Sequence, residues 1–125
     1  MYLGKGDVYF DSLLVGVNPP GNSPGTSTLK LSVGTVLTVS DGNNDAFAVD
    51  ALLGRIVLDM ADRNTQLRVY GDYRSSGPAT NLPAFLADGR IVVTNDVHGL
   101  ARLYYDAPYS IVGQRVFRGP LLIVK

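Results

Sequence analysis

The sequence contains no cysteine, no tryptophan and no glutamate, and it has only three lysines and one histidine, His98. Each absence removes a class of chemistry. Without cysteine there are no disulfides, no thiolate zinc sites and no cysteine nucleophile. With one histidine and no glutamate, neither a zinc site nor a Ser-His-Asp triad assembles in the usual way. Glutamate and lysine normally fill the exposed faces of helices, so their scarcity also argues against helical architecture. No window approaches the roughly 18 apolar residues of a membrane helix. The start of the chain lacks the basic stretch and apolar run of a signal peptide, so a soluble product made in a cytoplasm is expected. Lys+Arg and Asp+Glu are equal at 11 each. That balance lacks the basic excess of an electrostatic nucleic-acid binder, so no sequence-specific nucleic acid and no membrane is expected as partner.

What remains is 125 residues, 46% hydrophobic, with 14 glycines and 7 prolines. This length suits one domain with one hydrophobic core. Glycine, proline, asparagine and aspartate belong to turns, and the apolar segments between them are short. The expectation is a single β-rich domain over residues 1–125. It would be all-β, a compact β-barrel or sandwich built from hairpins, with at most one short helix and an extended Pro/Gly loop or arm.

Residues 7–15 (DVYFDSLLV) read as one strand. The stretch 18–28 (NPPGNSPGTST) is too rich in proline and glycine for helix or central strand and reads as a loop or arm. Leu29–Val33 and Val36–Ser40 alternate with period two, as half-buried strands do, with a turn at Gly34-Thr35. Residues 46–53 (AFAVDALL) fit either a strand or a short helix. Asn81–Gly89 reads as one helical turn, with Asn81 as cap, Pro83 in the first turn and Gly89 as stop. Residues 114–118 and 121–124 read as final strands broken at Gly119-Pro120.

An internal repeat stands out. Gly54-Arg55-Ile56-Val57-Leu58 matches Gly89-Arg90-Ile91-Val92-Val93, and Arg68-Val69-Tyr70-Gly71-Asp72 matches Arg102-Leu103-Tyr104-Tyr105-Asp106. Each copy, 54–72 and 89–106, is a strand, a polar turn and a second strand, which predicts two β-hairpins. Two copies alone are too few for a solenoid.

Sites for chemistry are sparse. Asp41, Asn43 and Asp45 begin a calcium-loop pattern, but Ala46 and Leu52 stand where that loop needs glycine and glutamate. His98 lies in a polar turn, and Asp59, Asp62, Asp72, Asp88, Asp96 and Asp106 are explained by turns and strand ends. No catalytic residue, metal site or cofactor is expected. Tyrosine and arginine are the residues available for binding, since they combine apolar area with polar tips. A small ligand-binding barrel or sandwich, for example one that binds carbohydrate, would use Tyr73, Tyr104 or Tyr109 and would gather its tyrosines on one open face. Arg55, Arg68, Arg90 and Arg102 recur in the repeat, as strand-edge protection or as partners of aspartates on another subunit.

The opening YLGKGDVYFDSLLVG and the following GNSPGTSTLKLS resemble tailed-bacteriophage virion proteins. Gly4-Lys5-Gly6-Asp7-Val8-Tyr9-Phe10-Asp11 is similar to the first strand of phage tail-tube proteins. The resemblance covers about the first third of the chain. Tube subunits are usually longer, and in size and composition the chain looks more like the small β-rich decoration (cement) proteins that clamp phage heads. The resemblance implies a non-enzymatic structural protein of the virion. It would bind itself and a major capsid protein and stabilise the head lattice, with a tail-tube or head–tail connector subunit as the alternative. Candidate contacts are Tyr2 and Lys5 at the start and Pro19, Pro20, Asn22 and Pro24 in the arm. The pair Tyr104 and Tyr105 is a third group; Arg115, Phe117, Leu121 and Ile123 near the end are the fourth.

Overall fold

The structure, a computed structural model, describes residues 2–4, 6–16, 27–42, 46–74 and 82–114. The expected arm up to residue 26, Asn43 and Asp45, the cap Asn81 and the strands after residue 114 lie outside the described residues.

Eleven strands and one helix follow in order: β1 (Tyr2–Leu3), β2 (Gly6–Phe10), β3 (Leu13–Val15), β4 (Ser27–Leu31), β5 (Thr35–Val39), β6 (Phe47–Val49), β7 (Gly54–Asp59), β8 (Gln66–Tyr70), α1 (Leu82–Ala87), β9 (Ile91–Thr94), β10 (Ala101–Asp106) and β11 (Tyr109–Gln114). The all-β class and the single short helix expected from composition are both present. The strands form a four-stranded sheet β1-β4-β7-β9, a five-stranded sheet β10-β11-β8-β5-β2 and a two-stranded sheet β3-β6.

The pairing within these sheets reveals how the chain runs. Every pair in the first sheet is parallel, and so are β2-β5, β5-β8 and β3-β6. The chain therefore coils. One circuit lays down β1, β2 and β3; the next lays β4, β5 and β6 directly against them; β7 and β8 follow, then β9. Among the described residues only β10 and β11 form an antiparallel hairpin, which closes the second sheet against β8.

The stacking explains the core. Alternate residues of a strand point to one face, and parallel register places like residues in columns. Leu29, Ile56 and Ile91 form one column, and Leu31, Leu58 and Val93 the next. From the second sheet, Val8, Leu37, Leu67 and Val112 stand in one column, facing the same interior. Leu31, Leu37, Ile56, Leu58 and Leu67 are fully buried. Burying each such side chain contributes roughly 1.5–3 kcal/mol. The two large sheets thus sandwich one core, to which β6 adds Phe47 and α1 adds Leu82 and Phe85. Phe85 meets Phe47 edge-on, with ring centroids 6.2 Å apart.

A polar ladder marks the corner between the sheets. Thr35 and Thr65 are fully buried there. The Thr35 hydroxyl shares its proton between the carbonyls of Leu3 (3.1 Å) and Gly4 (2.6 Å), and the Ser32 hydroxyl also donates to Leu3. The Gly34 N–H donates to Thr65 Oγ1 at 2.8 Å, linking the second circuit to the third. These bonds satisfy backbone groups that the corner would otherwise leave buried and unpaired.

Several local expectations need correction. The two repeat copies are not hairpins. β7 and β9 lie in the first sheet, whereas β8 and β10 lie in the second, so each copy is an arch that crosses from one sheet to the other. Their first arms stack side by side in parallel register, Ile56 against Ile91 and Val57 against Val92, while β11 lies between their second arms β8 and β10. The reason is burial: Leu58 and Leu67 enter one core from two different sheets instead of lying side by side on one sheet. Residues 7–15 make two strands, not one, because the chain turns a corner at Asp11-Ser12. There the Ser40 N–H donates to the Phe10 carbonyl at 3.0 Å and the Ser40 hydroxyl to the Asp11 carbonyl at 2.6 Å. Ser27 and Thr28 belong to β4 and not to a loop. The ambiguous 46–53 segment resolves into β6 and a turn, in which Asp50 Oδ2 accepts from the N–H groups of Leu52 and Leu53 at 3.0 and 2.8 Å. β11 ends at Gln114, the residue at which the next strand is expected to begin.

Candidate binding face and open edge

Two features of the second sheet are candidates for function: its outer face and the free side of β2. β2 is the last strand of that sheet. The Gly6 N–H donates to Gly34, and the Phe10 carbonyl accepts from Ser40, so both residues point inward to β5 and the corner beyond. By the alternation of a parallel strand, Asp7 and Tyr9 turn their N–H and carbonyl groups the other way. No other strand pairs with that side among the described residues.

The outer face carries a row across the sheet in which Tyr9, Thr38, Arg68, Ile111 and Tyr104 are register partners in turn. Tyr70 and Tyr109 form the adjacent pair. Four of the seven tyrosines thus share one face. Tyr9 is 61% exposed and Tyr70 50%. The Tyr70 and Tyr109 rings meet edge-on, with centroids 5.8 Å apart, and the Arg68 guanidinium lies 4.2 Å from the centre of the Tyr109 ring. Gln66 Nε2 donates to the Tyr104 hydroxyl at 3.2 Å. Between Tyr9 and Arg68, small Thr38 leaves a shallow trough of about 320 Å³, bounded also by Asp7, Val36 and Tyr109.

The remaining candidates are distributed differently. Tyr104 and Tyr105 take opposite sides of β10, as adjacent strand residues must; Tyr105 lies beneath the Arg74 guanidinium, 4.9 Å from its ring centre. Tyr73 is not on the tyrosine face. It packs against the core, and its hydroxyl donates to Asp41 at 3.3 Å. Burial first, and then the Asp41 charge, pushes the Tyr73 hydroxyl above the usual tyrosine range. Tyr2 is in β1, the outermost strand of the first sheet. Lys5, Pro19, Pro20, Asn22, Pro24, Arg115, Phe117, Leu121 and Ile123 lie outside the described residues.

The four repeat arginines do not share one role. Arg55 and Arg68 sit on β7 and β8, which are paired on both sides, so they are not protecting edges. Arg102 is on the edge strand β10, and its Nε donates to the Leu100 carbonyl at 3.4 Å. Arg90 is the most engaged. It pairs with Asp88 at 2.8 Å, lies 4.2 Å from the Phe85 ring centre and donates to the Val49 carbonyl of β6 at 3.2 Å. The hydrogen bond from Arg90 lowers the Asp88 carboxyl below the usual range.

The aspartates serve turns. Asp96 accepts from the Leu100 and Ala101 N–H groups and Asp62 from Asn64. Asp59 accepts from Asn95 at 2.9 Å, a bond that chiefly lowers its carboxyl. His98 is exposed and shares an open depression of about 880 Å³ with Asp62, Asp96 and Arg63 where the two arches stack. Among the described residues, no group of three or more His, Cys, Asp or Glu could hold a metal ion, and no helix is long and apolar enough to cross a membrane. Sequence reasoning does not bring Tyr9, Thr38 and Arg68 together in one row. Their signal was period-two spacing on three separate strands, which gains meaning only once the parallel register is known.

No known family, curated protein or solved structure matches the chain.

Proposed function

We propose that this chain is a non-enzymatic structural subunit of a phage virion, most simply a head decoration protein that binds the capsid lattice. The observation that carries the reading is the open side of β2. The residues behind the virion resemblance, Gly6–Phe10, form an edge strand whose outer side, at Asp7 and Tyr9, pairs with no other strand among the described residues. Such an edge accepts a strand from a neighbour, giving affinity through main-chain bonds. Many copies on one lattice then stabilise one another by mass action.

Native mass spectrometry and binding to purified phage heads test this together. The expected result is assembly beyond the monomer or saturable binding to heads, abolished by Asp7→Pro. That substitution removes an outward N–H and leaves the β2-β5 bonds in place. A chain that stays monomeric, binds no heads and is indifferent to Asp7→Pro contradicts the proposal. Closed rings formed without heads favour the tail-tube or connector alternative.

A second reading is favoured by a separate observation, the gathering of Tyr9, Tyr70, Tyr104 and Tyr109 on one face. Clustered tyrosines beside a trough suit a ligand-binding module.

A further inference from the structure

We infer that the trough between Tyr9 and Arg68 is a binding site for a neutral saccharide. This rests on the second reading above and commits it to a place and a ligand chemistry.

The geometry defines two walls and a floor. Tyr9 and Arg68 are register partners two strands apart, with Thr38 between them. Adjacent strands are about 4.8 Å apart, so the walls rise about 10 Å from each other. A ring in van der Waals contact with both walls needs about 7–8 Å between them. The volume of about 320 Å³ lies at the small end of ligand pockets and suits one or two sugar rings with the rest of an oligosaccharide left in solvent.

The chemistry selects the class. A pyranose presents C–H groups on its faces and hydroxyls around its rim. Tyrosine rings offer apolar surface for the former. The hydroxyls need both donors and acceptors. Arg68 only donates, Asp7 only accepts, and Thr38 does both. The ion pairs formed among the described residues are Arg74–Asp72 and Arg90–Asp88, and neither Arg68 nor Asp7 takes part in them. Their formal charges cancel across the trough, which favours a neutral ligand over an anionic or cationic one. Arg68 is also held in place before binding, because its guanidinium rests on Tyr109 and Tyr109 in turn rests against Tyr70. Such preorganisation lowers the ordering cost of binding.

The test is isothermal titration of the full chain with four neutral hexasaccharides, built from glucose, mannose, galactose and N-acetylglucosamine, and with an anionic oligogalacturonate. At least one neutral hexasaccharide should bind saturably. Thr38→Phe, which fills the trough, and Arg68→Ala should each weaken it at least tenfold with an unchanged melting midpoint. The inference is overturned if no neutral member binds, if only the anionic one binds, or if binding survives Thr38→Phe. Thr38→Phe should leave assembly and head binding intact, so failure of the saccharide site and failure of the structural proposal give different results.

Discussion

The two glycines that open the repeat units, Gly54 and Gly89, have different reasons to be glycine, and this yields a prediction with opposite signs in two theories. Gly54 begins β7 where it passes the end of β3. A Cβ added there would stand 2.3 Å from the Val15 carbonyl oxygen and 2.8 Å from the Asp50 N. Both are backbone atoms, and they already bond each other, Asp50 N–H to Val15 O at 2.9 Å. They cannot move aside without parting β3 from β6. Judged by propensity alone, alanine in a strand should stabilise by about 0.5–1 kcal/mol relative to glycine. Judged by the stacking of circuits, overpacking costs about 1–3 kcal/mol and the weakened hydrogen bond about 1 kcal/mol more. Gly54→Ala should therefore destabilise by about 2–4 kcal/mol, read as a lower urea midpoint at unchanged m-value. Gly89 is different: a Cβ there meets nothing within 4 Å, but its φ is +85°. Gly89→Ala should cost only the left-handed penalty, about 1–2 kcal/mol. Gly4, open and without positive φ, is the control. A Gly54→Ala protein as stable as the parent would refute the close approach of the first and third circuits.

Other predictions test separate parts of the account. Leu58→Ala, fully buried between Leu31 and Val93, should cost about 2–5 kcal/mol, whereas Leu52→Ala, at 89% exposure, should stay within about 0.5 kcal/mol; urea titrations compare them. Ser110 is fully buried, accepts from the Tyr73 N–H at 2.8 Å and donates to the Gly71 carbonyl at 2.6 Å. Ser110→Ala leaves both groups unpaired and should cost about 1–3 kcal/mol in the same assay. Asp59 and Asp88 are lowered by their bonds to Asn95 and Arg90. Their contribution is thus present above the unfolded carboxylate value, about pH 4, and lost as pH falls through the lower folded values. The urea midpoint should fall below pH 4, and Asn95→Ala should shrink that fall. Tyr73 is raised by burial and by Asp41, so its contribution holds below about pH 10 and is lost as pH rises through the folded value. Tyr73→Phe should remove that alkaline decline.

The strands were legible because period-two alternation is local: Leu29, Leu31, Leu37 and Val39 announce their inward face without any partner. The helix was legible from Pro83 and Gly89. What alternation does not encode is the partner. An arch and a hairpin show the same pattern on both arms, and the turn at 61–65 is polar in either case. The missed clue was the likeness of the two copies themselves. Near-identical strands gain by stacking in parallel register, Ile56 on Ile91, because each column then repeats one side-chain shape. The binding face was legible only as composition. Composition marks tyrosine and arginine as surface material, but bringing Tyr9 and Arg68 to either side of Thr38 requires strands far apart in sequence.

The coil is the premise of the open β2 edge and of the tyrosine face alike, and one cross-link tests it most directly. Val57 and Val92 are outward-facing register partners on β7 and β9. Parallel neighbours stand about 4.8 Å apart, within the Cα range of about 4.4–6.8 Å for a disulfide. The chain has no cysteine of its own, so the double variant Val57→Cys/Val92→Cys can form only the intended bridge within a monomer. Mild oxidation should close it rapidly in the folded protein, while Val57→Cys/Val69→Cys, which a hairpin with its turn at 61–65 would bring together, should remain reduced. The reverse pattern would contradict the coil.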